Sequence, residues 1–240
     1  MCRHTAWLGA PTSLQQLLVD PTHGLLRQSW APRRQRYGTV NADGFGIGWY
    51  AGGLVARYRR DVAMWGDANL LSMAPVITAG CVLAAVRSRT AGGPGGEGAC
   101  APFLLPGSVL LSHNGAVPVE ALAPLVSSAE LAAVGSTVDS ALVAALVAAR
   151  LHAGADLAAA LTATVATVAA VAPSARLNLL ATDGRTVAAT TWGDTLCWRG
   201  GVVASEPSDD GPGWVDVPDR SLLVLTPDGC TVPPLTKDPT

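Results

Sequence analysis

Cys2 is the side chain in this sequence with the most direct chemical consequence. The chain opens Met-Cys-Arg-His, and a small second residue favours removal of the initiator methionine, which leaves Cys2 as the amino terminus. A free α-amine titrates at about 7.7–8.0, so much of it is an unprotonated base near neutral pH. The thiol on the same residue titrates at about 8.5. One residue then supplies both nucleophile and general base, the logic of N-terminal threonine enzymes. Position alone favours a small apolar residue on a first strand, because Ala6, Trp7 and Leu8 follow.

Three further polar clusters could join Cys2. Arg87 and Thr90 end the β-rich run Cys81–Val86, Asn114-Gly115 follows the apolar run Val109–Ser112, and Asp139 precedes a patterned helix. Each has a purely structural reading as well. Arg87 suits a solvated strand end, Asn114-Gly115 is a type I′ turn signal, and Thr137 or Asp139 suits a helix N-cap. The glycines of Gly44-Phe45-Gly46-Ile47-Gly48 lack the following helix and the spacing of a dinucleotide fingerprint.

The elements that must hold these residues follow from composition and pattern. The chain has 240 residues, 49% hydrophobic and only 14% charged, which suffices for a substantial core. A net charge of -2 gives no general attraction to nucleic acid or anionic membrane, and the Arg33–Arg36 and Arg57–Arg60 clusters read as solvated loop or strand ends. Five cysteines without CxxC spacing and four histidines without HxxxH spacing argue against a disulfide framework and a structural metal. No signal peptide is legible, and Ala153–Ala172 is too alanine-rich and polar for a good membrane span, so the expectation is a soluble cytoplasmic protein.

In chain order, residues 2–8 predict a strand, Leu14, Leu17 and Leu18 a helix ended by Pro21, and residues 21–43 a long loop. A hairpin follows around Ala51-Gly52-Gly53, with further strands over Cys81–Val86 and Val109–Ser112. Helices are predicted at Val119–Leu125, Ser140–Leu151 and Ala155–Val171. Strands return over 176–182, 185–191, 196–198, 202–205 and 221–226, and Ser205–Gly213 reads as a surface loop. Strands, two helices and strands again indicate an α+β class with helices covering a two-sheet core, in one domain spanning 1–240.

Taken together, the MCRH opening, NADGFGIGWY (41–50), VRSRT (86–90), ACAPF (99–103) and SHNG (112–115) resemble the class II glutamine amidotransferases, a branch of the N-terminal nucleophile hydrolases. Within that family the likeness is greatest to stand-alone hydrolases that release glutamate from γ-glutamyl hercynylcysteine sulfoxide in ergothioneine biosynthesis. The resemblance implies a four-layer αββα sandwich, no cofactor and a small-molecule γ-glutamyl substrate; it leaves a homo-oligomer open. It implies that Cys2 forms a thioester while the Asn114 amide and Gly115 N–H make an oxyanion hole. Arg87 would clamp the substrate α-carboxylate, Thr90 add a hydrogen bond, and Asp139 receive the α-ammonium, with His113 also among the binding residues. A trimethylammonium on the leaving group would find aromatic faces on Trp30, Tyr37 and Trp49. Departures are Ala141, where the family has glutamate, and Arg89, where a small residue is usual. Two other readings stay open: a glutaminase subunit delivering ammonia to a separate synthase, and a non-catalytic relative that keeps the fold.

Overall fold

The computed structural model describes residues 2–89 and 93–235. The strands in chain order are β1 (Cys2–Ser13), β2 (Phe45–Ala51), β3 (Leu54–Arg60), β4 (Thr78–Arg87), β5 (Phe103–Leu105), β6 (Val109–Ala116), β7 (Arg176–Thr182), β8 (Val187–Thr191), β9 (Cys197–Arg199), β10 (Val202–Ala204), β11 (Val215–Asp216), β12 (Ser221–Thr226) and β13 (Gly229–Thr231). The helices are α1 (Leu25–Gln28), α2 (Ala68–Met73), α3 (Val119–Leu122), α4 (Ser128–Val134), α5 (Asp139–His152) and α6 (Leu157–Val171).

Two antiparallel sheets form, in the orders β11-β9-β10-β1-β4-β2-β3 and β13-β12-β8-β7-β6-β5. Strand alternation divides the apolar residues among three cores. Leu177, Leu179 and Ala181 of β7 face α5 and α6, where they meet Val143, Val147, Leu161 and Val165. Leu180, between them, faces the other sheet and joins Ala6, Leu83, Leu110 and Val203. The outer side of the first sheet packs Phe45, Ile47, Val82 and Val86 against Leu14, Leu18, Leu25 and Leu70. The αββα layering is therefore present, with short helices on one side and two long ones on the other. No single helix among the described residues is long and apolar enough to cross a membrane.

The glycine-rich strand has a packing cause. A Cβ at Gly46 would collide with the Ala101 carbonyl, so the ACAPF segment can lie directly against β2.

Several local expectations are corrected. β1 runs on to Ser13, and Gln15–Val19 forms a π turn rather than an α-helix. The reason is tertiary: Leu14 N–H donates to Ile77 O and Gln15 N–H to Ala74 O, both at 3.0 Å, which fixes the entry of the turn. His113-Asn114-Gly115 is no turn. It lies inside β6, in register with Leu179, Asn178 and Leu177 of β7. Ser205–Gly213 begins buried, because Glu206 is fully enclosed and accepts the backbone N–H groups of Arg33 and Arg34 at 2.9 and 2.8 Å. Helix α4 escaped sequence reading despite its signal, a Ser127–Glu130 capping box.

Candidate active site

Cys2 begins β1, and the β1–β4 register sets it directly opposite Arg87. Asn114 reaches Cys2 from the other sheet, its Oδ1 accepting the Cys2 backbone N–H at 3.2 Å. The Asn114 Nδ2 is left buried beside Cys2 with no partner among the described residues. A buried donor without a partner carries a desolvation cost, which an arriving oxyanion would relieve. Gly115 stands next in the strand, where a Cβ would collide with the Arg176 carbonyl and the His113 ring.

Arg87 is held by the NADG segment. Arg87 N–H donates to Gly44 O at 2.8 Å, Asp43 N–H donates to Arg87 O at 3.0 Å, and the Asp43 carboxylate accepts Arg89 N–H at 2.8 Å. One guanidinium nitrogen, Nη2, donates to Pro94 O at 2.8 Å. The other, Nη1, is buried with no partner among the described residues.

A cavity of about 320 Å³ brings Cys2, Arg87, His113, Gly115 and Asp139 together, with Phe45, Phe103 and Val138 among its apolar walls. That volume lies at the small end of ligand pockets and suits an amino-acid-sized moiety. Asp139 is the first residue of α5 rather than its cap, and its Oδ1 accepts the Ser140 N–H at 2.8 Å.

Burial raises the Cys2 thiol above its ordinary value; the Ser88 backbone N–H and the Arg87 charge lower it, while the Asp139 charge raises it. The resting group is therefore a thiol that needs a base. Burial pushes His113 down, so its ring is neutral. A carbonyl can only accept, so the N–H is on Nε2, which donates to Arg176 O at 2.8 Å; Nδ1 accepts the Ser140 hydroxyl at 3.0 Å. Both ring nitrogens are thus used by the protein. His113 forms cavity wall and ties α5 to β7, with no nitrogen left for substrate. His4 lies two residues beyond Cys2 on the same strand face and contacts Ser112 Oγ through Nδ1 at 3.2 Å; burial, with the Arg3 charge, lowers it to about 3.

Thr90 lies outside the described residues, as does Met1. Trp30 is not part of the cavity lining: it packs edge-on against Trp65 at 5.8 Å. Tyr37 carries the Arg176 guanidinium on its ring and Trp49 packs with the outer core. Residues that sequence reasoning missed are Asp43, Ser140 and the Ser88 backbone. Asp43 was visible only as a turn former.

This is the layout of an amidotransferase with an amino-terminal nucleophile, and a family model for class-II glutamine amidotransferases matches residues 19–199: the chain belongs to that family. A gamma-glutamyl-hercynylcysteine sulfoxide hydrolase of Mycolicibacterium smegmatis is 52% identical over 240 residues, covering 98% of this chain and 100% of the relative. One of Mycobacterium tuberculosis is 46% identical over 241 residues, covering 99% and 98%. Among solved structures, a glutamine aminotransferase class-II domain protein from Silicibacter pomeroyi aligns at TM-score 0.69 with 19% identity over 98% of this chain and 100% of its own. The glutamine phosphoribosylpyrophosphate amidotransferase of B. subtilis aligns at 0.66 with 18% identity, over 99% of this chain and 50% of its own.

Proposed function

We propose that this protein hydrolyses a γ-glutamyl amide through a thioester on Cys2 and releases glutamate, its substrate being γ-glutamyl hercynylcysteine sulfoxide. The observation that supports this reading is the Cys2–Asn114 contact, which leaves Asn114 Nδ2 without a partner among the described residues, beside the Cys2 that stands opposite Arg87. The substrate assignment rests on the mycobacterial hydrolases, which match almost the whole chain.

With Met1 removed, the Cys2 nitrogen is a free amine that keeps Asn114 Oδ1 as its acceptor. The amine takes the thiol proton, and the sulfur attacks the γ-carbonyl. Asn114 Nδ2 and the Gly115 N–H stabilise the oxyanion, a contribution of about 10²–10³ in rate for each donor. The amine nitrogen returns its proton to the leaving amine, then activates the water that cleaves the thioester. Arg87 receives the α-carboxylate through Nη1, and Asp139 the α-ammonium.

Intact mass and labelling with 6-diazo-5-oxo-norleucine test the nucleophile. The expected result is loss of Met1 and one adduct, on Cys2. Glutamate release from γ-glutamyl hercynylcysteine sulfoxide, far faster than from glutamine, tests the substrate. A retained Met1 without adduct would overturn the catalytic reading; preference for glutamine would favour a glutaminase subunit.

A further inference from the structure

Arg87 and Asp139 address the glutamyl half of the substrate, and the leaving half has no assigned partner. Arg176 is not among the residues that line the cavity; its strand position lies beyond the Asn114 side of the Cys2–Asn114 pair. Arg176 begins β7 and is in register with Ala116, so its side chain is on the same sheet face as Asn114. It stands two residues, about 7 Å, from Asn178, the cross-strand partner of Asn114. The strand order puts it across the site from Arg87. β4 lies on the β2 side of β1, and β2 packs on Ala101 beside β5, whereas β7 lies on the other side of β6 from β5.

The side chain is held in place. Its guanidinium carbon is 4.2 Å from the centroid of the Tyr37 ring. Its stem runs over Gly193, where a Cβ would stand 3.1 Å from Arg176 Cγ. Its carbonyl accepts from His113, a cavity-wall residue, and its charge helps to lower the His113 pKa. The loop bearing Tyr37 is fastened too, by buried Glu206 on the Arg33 and Arg34 N–H groups, and by Asn41, which donates to Gln28 O at 3.1 Å and Gln35 Oε1 at 3.0 Å.

The leaving amine of a γ-glutamyl amino acid carries a carboxylate one carbon from the scissile nitrogen. Two arginines on opposite flanks of one nucleophile match the two carboxylates of such a substrate. We infer that Arg176, stacked on Tyr37, binds the α-carboxylate of the leaving amino acid and makes this a hydrolase of γ-glutamyl amino acids rather than of glutamine or simple γ-glutamyl amides. The inference rests on the reading of Cys2 and Arg87 given above.

The test compares two γ-glutamyl amides differing in one group: γ-glutamyl-S-alkylcysteine sulfoxide and its counterpart without the cysteinyl carboxylate. Wild-type enzyme, shown by mass to lack Met1, should prefer the first by about 30-fold or more in kcat/KM. Arg176→Gln should abolish that preference, mainly through KM, while leaving the second substrate within about twofold of wild type. Arg176→Lys should retain part of it and Tyr37→Phe nearly all, while Tyr37→Ala should lose part. Equal use of both substrates by wild type overturns the inference, as does an equal loss on both in folded Arg176→Gln or Arg176→Lys. Wild type that cleaves neither substrate, and takes no 6-diazo-5-oxo-norleucine adduct, overturns instead the reading of Cys2 on which it rests.

Discussion

Cys2 and Arg87 are cross-strand partners in the β1–β4 pair. Directly paired residues of antiparallel strands stand about 4.5–5.5 Å apart at Cα. The proposed nucleophile and the proposed anchor for the α-carboxylate are therefore fixed to each other by the backbone ladder rather than by a loop. A γ-glutamyl group has a comparable reach between its γ-carbonyl and its α-carboxylate, so one register fixes both recognition and attack.

Removing the anchor should be felt in binding. Arg87→Ala leaves a buried carboxylate uncompensated, a loss of about 2–5 kcal/mol and therefore about 30-fold or more in kcat/KM. Most of it should appear in KM. Arg87→Lys should recover part, because a single ammonium replaces a fork of donors. An unchanged KM in Arg87→Ala would place the carboxylate elsewhere.

Asn114 should behave in the opposite way. Its Nδ2 has no partner among the described residues at rest and gains one only when charge develops on the carbonyl oxygen. Asn114→Ala should lower kcat by about 10²–10³ with little change in KM. Single-turnover formation of the thioester would report the defect directly, and a pure KM effect would count against an oxyanion role.

His4 predicts an acid limit to stability. Burial, aided by the Arg3 charge, lowers its pKa from 6.5 to about 3. The unfolded chain takes up this proton first as pH falls. Stability present above the unfolded pKa is therefore lost progressively between about 6.5 and 3. Between pH 7 and pH 5 this one group should account for about 2 kcal/mol. Urea midpoints of wild type and His4→Gln at the two pH values test it: the pH-dependent loss should shrink by that amount, and His113, shifted the same way, should supply a remainder. Equal losses in both proteins would remove His4 from the account.

Glu206 should control the loop that carries Tyr37. Glu206→Gln puts an NH₂ where a carboxylate oxygen accepts a backbone N–H, at a cost of about 1–3 kcal/mol for the unmade bond. Trypsin should then cut within Arg33–Arg36 faster than in wild type. Unchanged cleavage there would show that the Arg33–Asp210 and Arg34–Asp216 pairs hold the loop without it.

The amino-acid sequence by itself determined the order of the main strands and the two long helices, and its ordered motifs singled out Cys2 as the candidate nucleophile. These depend on local signals: alternation, 3.6-residue periodicity, and a cysteine beside the initiator. It also separated the motifs that share the site, because the ordered set is more specific than any one member. Asn114-Gly115 marks where local reasoning stopped. The pair has the chemistry of a turn and sits inside a strand, since β7 supplies a ladder that no short window contains. The surface-loop reading of Ser205–Gly213 failed for the same reason. A tryptophan does not declare in sequence whether it faces a cavity or another tryptophan, and a glutamate in a polar run does not declare that two distant N–H groups will bury it. Tertiary structure alone decided the partners across strands and between sheets: Cys2 with Arg87, Asn114 with Cys2, Arg176 with Tyr37. Those contacts join residues tens to more than a hundred positions apart, and long-range register is set by the packing of whole sheets rather than by the residues that meet.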